Sequence, residues 1–225
     1  MARFCRYELR TTDVQAARAF YADLLGATFW SSQVALAPLP ERAAARGAPA
    51  HWLGQVGVSD VDGTIARLVE MGGQQLSPEV LRDPFGSVVG LCAEDAAPPG
   101  DTVAWHLLHT RDHVRAFSFY ETLFGWTANG LVDLGSVQGE HQLFAWDATG
   151  RSAGSVANTA RLPHIHPHWL FFFAVEDLEG RLATVRERGG RVAESGQALN
   201  GGVFAACEDP AGAAFGLRGR AGGST

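Results

Sequence analysis

The eight histidines are the side chains best able to move a proton or hold an ion near neutral pH. Three of them form His164-x-His166-x-His168, a spacing that lets alternate imidazoles on one strand face share an ion. Pro163 and Pro167 interrupt that string, so an ordinary polar loop is expected there rather than a metal-binding strand. His109 closes a strand-like apolar run and is the first candidate for proton transfer or for orienting a ligand, with a hydrogen-bonded core or rim histidine as the alternative. Glu8, between Arg6 and Arg10, is the second candidate general base, and a solvated strand face is its competing reading. His51 precedes Trp52 as His168 precedes Trp169, which suggests a structural place at a strand start; Asp101, Asp112 and Asp177 read as cap or turn residues. Cys5, Cys92 and Cys207 are odd in number and lack C-x-x-C spacing, so they read as buried small hydrophobes rather than a disulfide framework or a thiolate zinc site. There is no P-loop or dinucleotide fingerprint.

A chain of 225 residues with 46% apolar content can bury a real core. The formal net charge of -6 and the lack of any Lys/Arg run argue against nucleic acid as a partner. The longest purely apolar stretch, Trp169 to Val175, is far short of the roughly 20 residues that cross a bilayer, and no signal-peptide pattern is present. A cytoplasmic protein with a small-molecule partner, off the membrane, is the expectation.

Three motifs occur twice. Asp13…Phe20-Tyr21…Leu25-Gly26 recurs 99 residues later as Asp112…Phe119-Tyr120…Phe124-Gly125. His51-Trp52-Leu53…Asp60 matches His168-Trp169-Leu170…Asp177, and Asp83-Pro84-x-Gly86 matches Asp209-Pro210-x-Gly212. The halves are therefore 1–97 and 101–220, joined by Ala96-Ala97-Pro98-Pro99-Gly100, with a Gly-rich end from Arg218 onward that reads as loose and a flexible tail at 221–225.

Each half alternates strand and helix signals. Strands are expected at Phe4–Thr11, Trp52–Val58, Val103–His109 and Leu170–Val175. A helix follows each, the first carrying Val14, Ala17, Phe20, Tyr21 and Leu24 on one stripe and its counterpart Val114, Phe117, Tyr120, Leu123 and Phe124. Asp13 and Asp112 are the N-caps, and Gly26 and Gly125 the stops. Between the first helix and the second strand, half one has 25 residues (26 to 51) where half two has 43 (125 to 168), about a hairpin's worth fewer. Val203–Cys207 reads as a strand with no counterpart before Asp83. The first half thus looks shortened and the second complete.

A capped helix bearing Phe-Tyr and ending Leu-x-Gly, then a late Asp-Pro-x-Gly, resembles the vicinal oxygen chelate superfamily of glyoxalases, bleomycin-resistance proteins and extradiol dioxygenases. Phe20-Tyr21-Ala22-Asp23-Leu24-Leu25-Gly26, Phe119-Tyr120-Glu121-Thr122-Leu123-Phe124-Gly125 and the two Asp-Pro-x-Gly runs carry the resemblance over nearly the whole chain. It implies an α+β fold of tandem βαβββ modules, with curved sheets forming cups and helices outside. It also implies where a metal would be held, by His or Gln on first strands and Glu on last strands. The first-strand position, seven residues before each capping Asp, selects Arg6, Leu53, Trp105 and Leu170; the last-strand position, seven after each Asp of Asp-Pro-x-Gly, selects Gly90 and Gly216. None is a competent donor. The pattern is similar to a metal-lacking branch that ends its last strand Phe/Val-Gly-Leu, matched by Val89-Gly90-Leu91 and Phe215-Gly216-Leu217.

Alternation along strands then places Arg6, Glu8 and Arg10 inside the first cup, and Trp105, Leu107 and His109 with Leu170 and Phe172 inside the second. Tyr7, Leu9, His106 and Leu108 would face the helices. Most of the aromatic residues of half two are expected in the core, and a few on the concave face would make a flat wall for an aromatic ligand. The expected function is metal-independent binding of a small aromatic metabolite or antibiotic, with Arg6, Arg10, Trp105, Leu107, His109, Leu170 and Phe172 as ligand contacts and no cofactor. The alternatives are an enzyme of lyase, isomerase or oxygenase type in the same cup, with His109 or Glu8 as base and a divalent metal as the possible cofactor, and a scaffold whose exposed edges pair in a homodimer.

Overall fold

The computed structural model describes residues 1–94, 102–199 and 201–219. The joint at 96–100 and the tail at 221–225 lie outside the described residues. In chain order, half one contains β1 (Arg3–Thr11), α1 (Val14–Leu25), β2 (Val34–Pro38), the single turn α2 (Glu41–Ala44), β3 (His51–Val58), α3 (Val61–Glu70), β4 (Gln74–Ser77), β5 (Val80–Arg82) and β6 (Val88–Ala93). Half two contains β7 (Val103–His109), α4 (His113–Phe124), β8 (Thr127–Asp133), the short α5 (Gly135–Gln138), β9 (Glu140–Ala145), β10 (Gly154–Ala157), β11 (His168–Val175), α6 (Leu178–Glu187), β12 (Arg191–Gln197), β13 (Val203–Glu208) and β14 (Ala214–Gly219). The first set of strands forms a six-stranded sheet in the order β2-β1-β3-β6-β5-β4, the second an eight-stranded sheet in the order β12-β13-β14-β11-β7-β10-β9-β8. This is the expected α+β architecture of repeated βαβββ modules.

The four long helices begin alike. Asp13, Asp60, Asp112 and Asp177 each accept a hydrogen bond from the backbone N–H three residues on, Ala16, Gly63, Arg115 and Gly180, which satisfies one of the unpaired donors at a helix start. Gly26 and Gly125 end α1 and α4 as expected, Gly125 in the left-handed conformation. Ala17, Phe20, Tyr21 and Leu24 bury the inner stripe of α1. Val114 was expected on the matching stripe of α4 but is 66% exposed, and His113 and Ala116 are buried in its place.

The shortening of half one is visible as missing strands. β2 runs parallel to β1 as β10 runs parallel to β7, but among the described residues no antiparallel pair like β8 and β9 lies beyond β2. The expectation that no strand precedes Asp83 is corrected by β5, whose three residues pair antiparallel with β6 through Leu81 opposite Val89. Three residues are too few to show an alternating pattern in sequence. The loose end expected from Arg218 is corrected as well, since Arg218 and Gly219 complete β14 in register with β11.

By contacts the chain divides into two compact units that interleave the halves. The first comprises Met1–Arg6, Leu53–Pro98 and His106–Leu170; the second comprises Tyr7–Trp52, Pro99–Trp105 and Phe171–Thr225. Each has its own aromatic core. In the first, Trp126 stacks on Tyr120 and on Phe144, with ring centroids 5.4 and 4.9 Å apart, and Phe4 and Trp169 close the cluster. In the second, Tyr21, Phe29, Trp52, Phe173 and Phe215 meet edge-on or stacked.

The repeated motifs explain how each unit is locked. In the first unit Tyr120 Oη donates to Asp83 Oδ2 at 2.8 Å and accepts from Trp169 Nε1 at 3.2 Å, while Asp83 Oδ1 accepts from the backbone N–H groups of Phe85 and Ser87. The second unit repeats the chain: Trp52 Nε1 donates to Tyr21 Oη, Tyr21 Oη donates to Asp209 Oδ2, and Asp209 Oδ1 accepts from Ala211 and Ala213. A Tyr of one half thus holds the Asp-Pro-x-Gly turn of the other. Burial is the largest cause of the raised carboxyl pKa of Asp83 and of Asp209, and their hydrogen bonds act against it.

Candidate active-site and ligand-binding residues

The positions at which the resemblance would place metal donors are filled by neighbours. In the first unit Gly90 on β6 lies in register with Gln55 on β3, and a β-carbon at residue 90 would come within 2.8 Å of Gln55 Cγ. In the second unit Gly216 on β14 lies in register with Phe172 on β11. A β-carbon there would lie 2.6 Å from Phe172 Cε1 and nearer still to Cγ and Cδ1. Leu53, Trp105 and Leu170 are buried and Arg6 is partly buried, and none offers a neutral or anionic donor. Among the described residues no group of three or more His, Cys, Asp or Glu side chains is arranged to hold a metal ion. These residues do not fit the metal that the family resemblance implies.

The strongest polar feature of the first unit is a group of histidines around β7, β9 and the start of β11. His109 Nδ1 lies 2.6 Å from Thr159 Oγ1, and its ring stacks on His168 with centroids 4.6 Å apart. His166 tilts against His168 at 5.1 Å. His141 on β9 places Nδ1 3.2 Å from Ser155 Oγ, while its Nε2 is buried with no hydrogen-bond partner among the described residues. Ser155 sits opposite Leu107 on β7 as Gly216 sits opposite Phe172, so it occupies the equivalent strand position in its module.

Burial keeps His109, His141 and His168 neutral at pH 7. Burial pulls His141 down to about 4, helped by repulsion from His113. It holds His109 well below the ordinary imidazole range, with repulsion from His168, His141 and His166 adding to it. Desolvation also draws His168 to about 4, and its hydrogen bond to the His166 carbonyl acts against that. A base is most effective when its pKa lies near the working pH, so rings this weakly basic are better suited to hydrogen bonding than to proton abstraction.

The remaining predicted residues divide between the units. Leu107, Leu170 and Arg6 belong with His109 in the first, and Glu8, Arg10, Trp105 and Phe172 belong to the second. In the second unit the Arg218 guanidinium lies over the Trp105 ring at 4.9 Å, and Phe172 meets Phe204 edge-on at 5.9 Å. Glu8 and Arg10 form an ion pair at 2.6 Å on β1, both partly buried. That pairing gives Glu8 an electrostatic partner beside it on the same strand. His141, Ser155, Thr159 and Arg218 were absent from the candidates read in sequence. No Asp-Pro-x-Gly precedes β10 to mark Ser155, and His141 lies in the segment that half one lacks, so the internal repeat had nothing to set beside either.

The sequence profile of the Glyoxalase/Bleomycin resistance protein/Dioxygenase superfamily matches residues 102–217, just over half of the chain. The chain belongs to this superfamily. It is 29% identical over 243 aligned residues to a Mycobacterium bovis protein named "Putative glyoxylase CFP32", covering 92% of this chain and 91% of that one. It is 32% identical over 126 residues to the anthracycline biosynthesis protein DnrV of Streptomyces peucetius, covering 50% of this chain and 44% of that one. The fold is similar to that of the Mn(II)-bound glyoxalase from Novosphingobium aromaticivorans, with a TM-score of 0.62, 13% identity, and coverage of 97% of this chain and 83% of that one. At that identity the likeness concerns the fold alone.

Proposed function

We propose that this superfamily member binds a small aromatic metabolite or antibiotic and does so without a metal. The observation that carries the reading is the filling of coordination positions in both units, by Gln55 over Gly90 and by Phe172 over Gly216. A donor at either glycine would have to displace its neighbour before reaching an ion. The neutral histidines support the same reading, because they offer hydrogen bonds to a ligand's hydroxyl or carbonyl oxygen but are weak bases at pH 7. The identity shared with an anthracycline biosynthesis protein favours an aromatic ligand. On this reading Leu107, Leu170 and Arg6 are candidate contacts in the first unit, where His109 orients the ligand, and Trp105, Phe172 and Arg10 are candidate contacts in the second, each unit being taken by itself. The partner is a small molecule, with no role for nucleic acid or membrane; among the described residues no helix is long and apolar enough to cross a bilayer.

Two measurements test the proposal together. Elemental analysis of protein purified without chelators is expected to find no transition metal near one equivalent. Thermal unfolding against a panel of aromatic metabolites is expected to show stabilisation by some members, since a ligand at 100 times its Kd adds about 2.7 kcal/mol. Stoichiometric zinc, iron, nickel or manganese would overturn the metal-free reading, and a flat panel would overturn the aromatic one. His109→Ala separates binding from catalysis: retained binding is expected, and a turnover that disappears in this variant would favour the enzymatic alternative.

A further inference from the structure

Two of the three cysteines meet inside the first unit. Cys5 on β1 and Cys92 on β6 are both buried, and their Sγ atoms are 2.6 Å apart. Cys92 lies in register with Gly57 of β3, and a β-carbon at Gly57 would fall 3.3 Å from Cys5 Sγ. The absent side chain at residue 57 is therefore part of the space in which the thiols approach. A disulfide has its sulfurs about 2.05 Å apart, so closing this pair requires a shift of roughly half an ångström. Cys207, on β13, belongs to the second unit.

We propose that Cys5 and Cys92 are a dithiol that a hydroperoxide oxidises to an intramolecular disulfide. The two sulfurs have different parts. The hydrogen bond with Cys92 is the largest influence on Cys5 and lowers its pKa, with burial opposing and Arg6 assisting, while the Cys92 thiol is pushed up. Cys5 is thus the nucleophile and Cys92 the resolving thiol. The Cys5 thiolate attacks one peroxide oxygen, the O–O bond breaks, and the departing oxygen takes a proton to leave as an alcohol or as water. Cys92 sulfur then attacks the Cys5 sulfenic acid, forming the S–S bond and releasing the sulfenic oxygen as water with the Cys92 proton. In total two thiols lose two protons and two electrons, and one hydroperoxide takes them up to become one alcohol and one water, with hydrogen peroxide giving two waters.

The test treats the full chain with hydrogen peroxide, then unfolds it in iodoacetamide and maps the peptides by mass. The expected result is loss of two of three alkylation sites, a Cys5–Cys92 cross-linked peptide, and return of all three sites after a phosphine reductant. Cys207→Ser should still form the cross-link. Cys92→Ser should stop at a sulfenic acid on Cys5 that a dimedone probe captures, which keeps the inference testable apart from the cross-link itself. Three labelled cysteines after oxidation, or a linkage through Cys207 or between chains, would overturn it.

Discussion

Gly216→Ala tests the packing on which the metal-free reading depends. The new methyl carbon would lie 2.6 Å from Phe172 Cε1 and closer to two other ring atoms, against the 3.5 to 4.0 Å at which carbon atoms rest. Phe172 is 4% exposed and meets Phe204 edge-on, so its ring has little room to withdraw. Forcing a methyl group into such a place costs about 1–3 kcal/mol. Phe172→Ala alone should cost about 3–5 kcal/mol by opening a cavity. In the double variant the methyl group enters that cavity, so the penalty of the alanine at 216 should disappear and leave a coupling of about 1–3 kcal/mol. Urea unfolding followed by tryptophan fluorescence measures all four corners of the cycle. A Gly216→Ala variant within about 0.5 kcal/mol of the parent, or two additive substitutions, would refute the claim that the Phe172 ring fills this position.

Other consequences can be measured in the same way. Tyr120→Phe removes the donor to Asp83 Oδ2 and the acceptor of the Trp169 indole, and leaving two buried polar groups short of partners should lower stability by about 2–4 kcal/mol in urea. Lowering the pH from 7 to 5 should cost about 4 kcal/mol through His106 and His141, each held to about 4 against an unfolded value of 6.5. The sign follows from their depressed folded pKa: the stability is present above 6.5 and is lost as the pH falls toward 4, because the unfolded chain takes up protons first. The raised carboxyls of Asp83 and Asp209 act in the opposite sense, so the histidine share is read by difference. His141→Leu should remove its own share of that slope, about 2 kcal/mol between pH 7 and 5, and leave the unliganded protein at least as stable at pH 7, because it removes an unpartnered buried Nε2, while weakening any ligand bound there. A pH profile unchanged by that substitution would contradict the assignment.

Local signals in the sequence were enough to place most of the framework. Four aspartates cap four helices because the N-cap requirement involves neighbours within three residues, and Gly26 and Gly125 end their helices for equally local reasons. The missing β8–β9 pair of half one was legible as a difference in length. Features that depend on distant residues were not. The Tyr21–Asp209 and Tyr120–Asp83 bonds join residues 188 and 37 positions apart, and nothing in the motifs alone says which Tyr holds which Asp. Val114 misled because the buried stripe of α4 begins at His113, one residue or about a quarter-turn away. Among the candidate residues, strand alternation marks His109, Trp105 and Phe172 in the sequence, whereas His141 and Arg218 become visible only through their partners, Ser155 in the first unit and Trp105 in the second.

The two glycine positions also predict what a simple restoration would fail to do. Glycine in the interior of a buried strand offers no side chain for packing, so the space above it has to be filled from elsewhere. Gln55 fills it in one unit with an aliphatic stem carrying an amide, and Phe172 in the other with a ring. Gly216→Glu supplies the carboxylate that the family resemblance would place on that strand. Its first carbon, however, meets the Phe172 ring, and Trp105 at the corresponding first-strand position of the same unit offers no donor. A zinc site built by protein needs three or four donors, and one displaced carboxylate provides a single weak one. Competition titration with a chromogenic zinc chelator should therefore find Gly216→Glu no tighter than the parent, and Gly90→Glu likewise in the first unit. Uptake of one equivalent by either variant would mean that other donors already converge on that strand and that the filling side chains yield more readily than their packing implies.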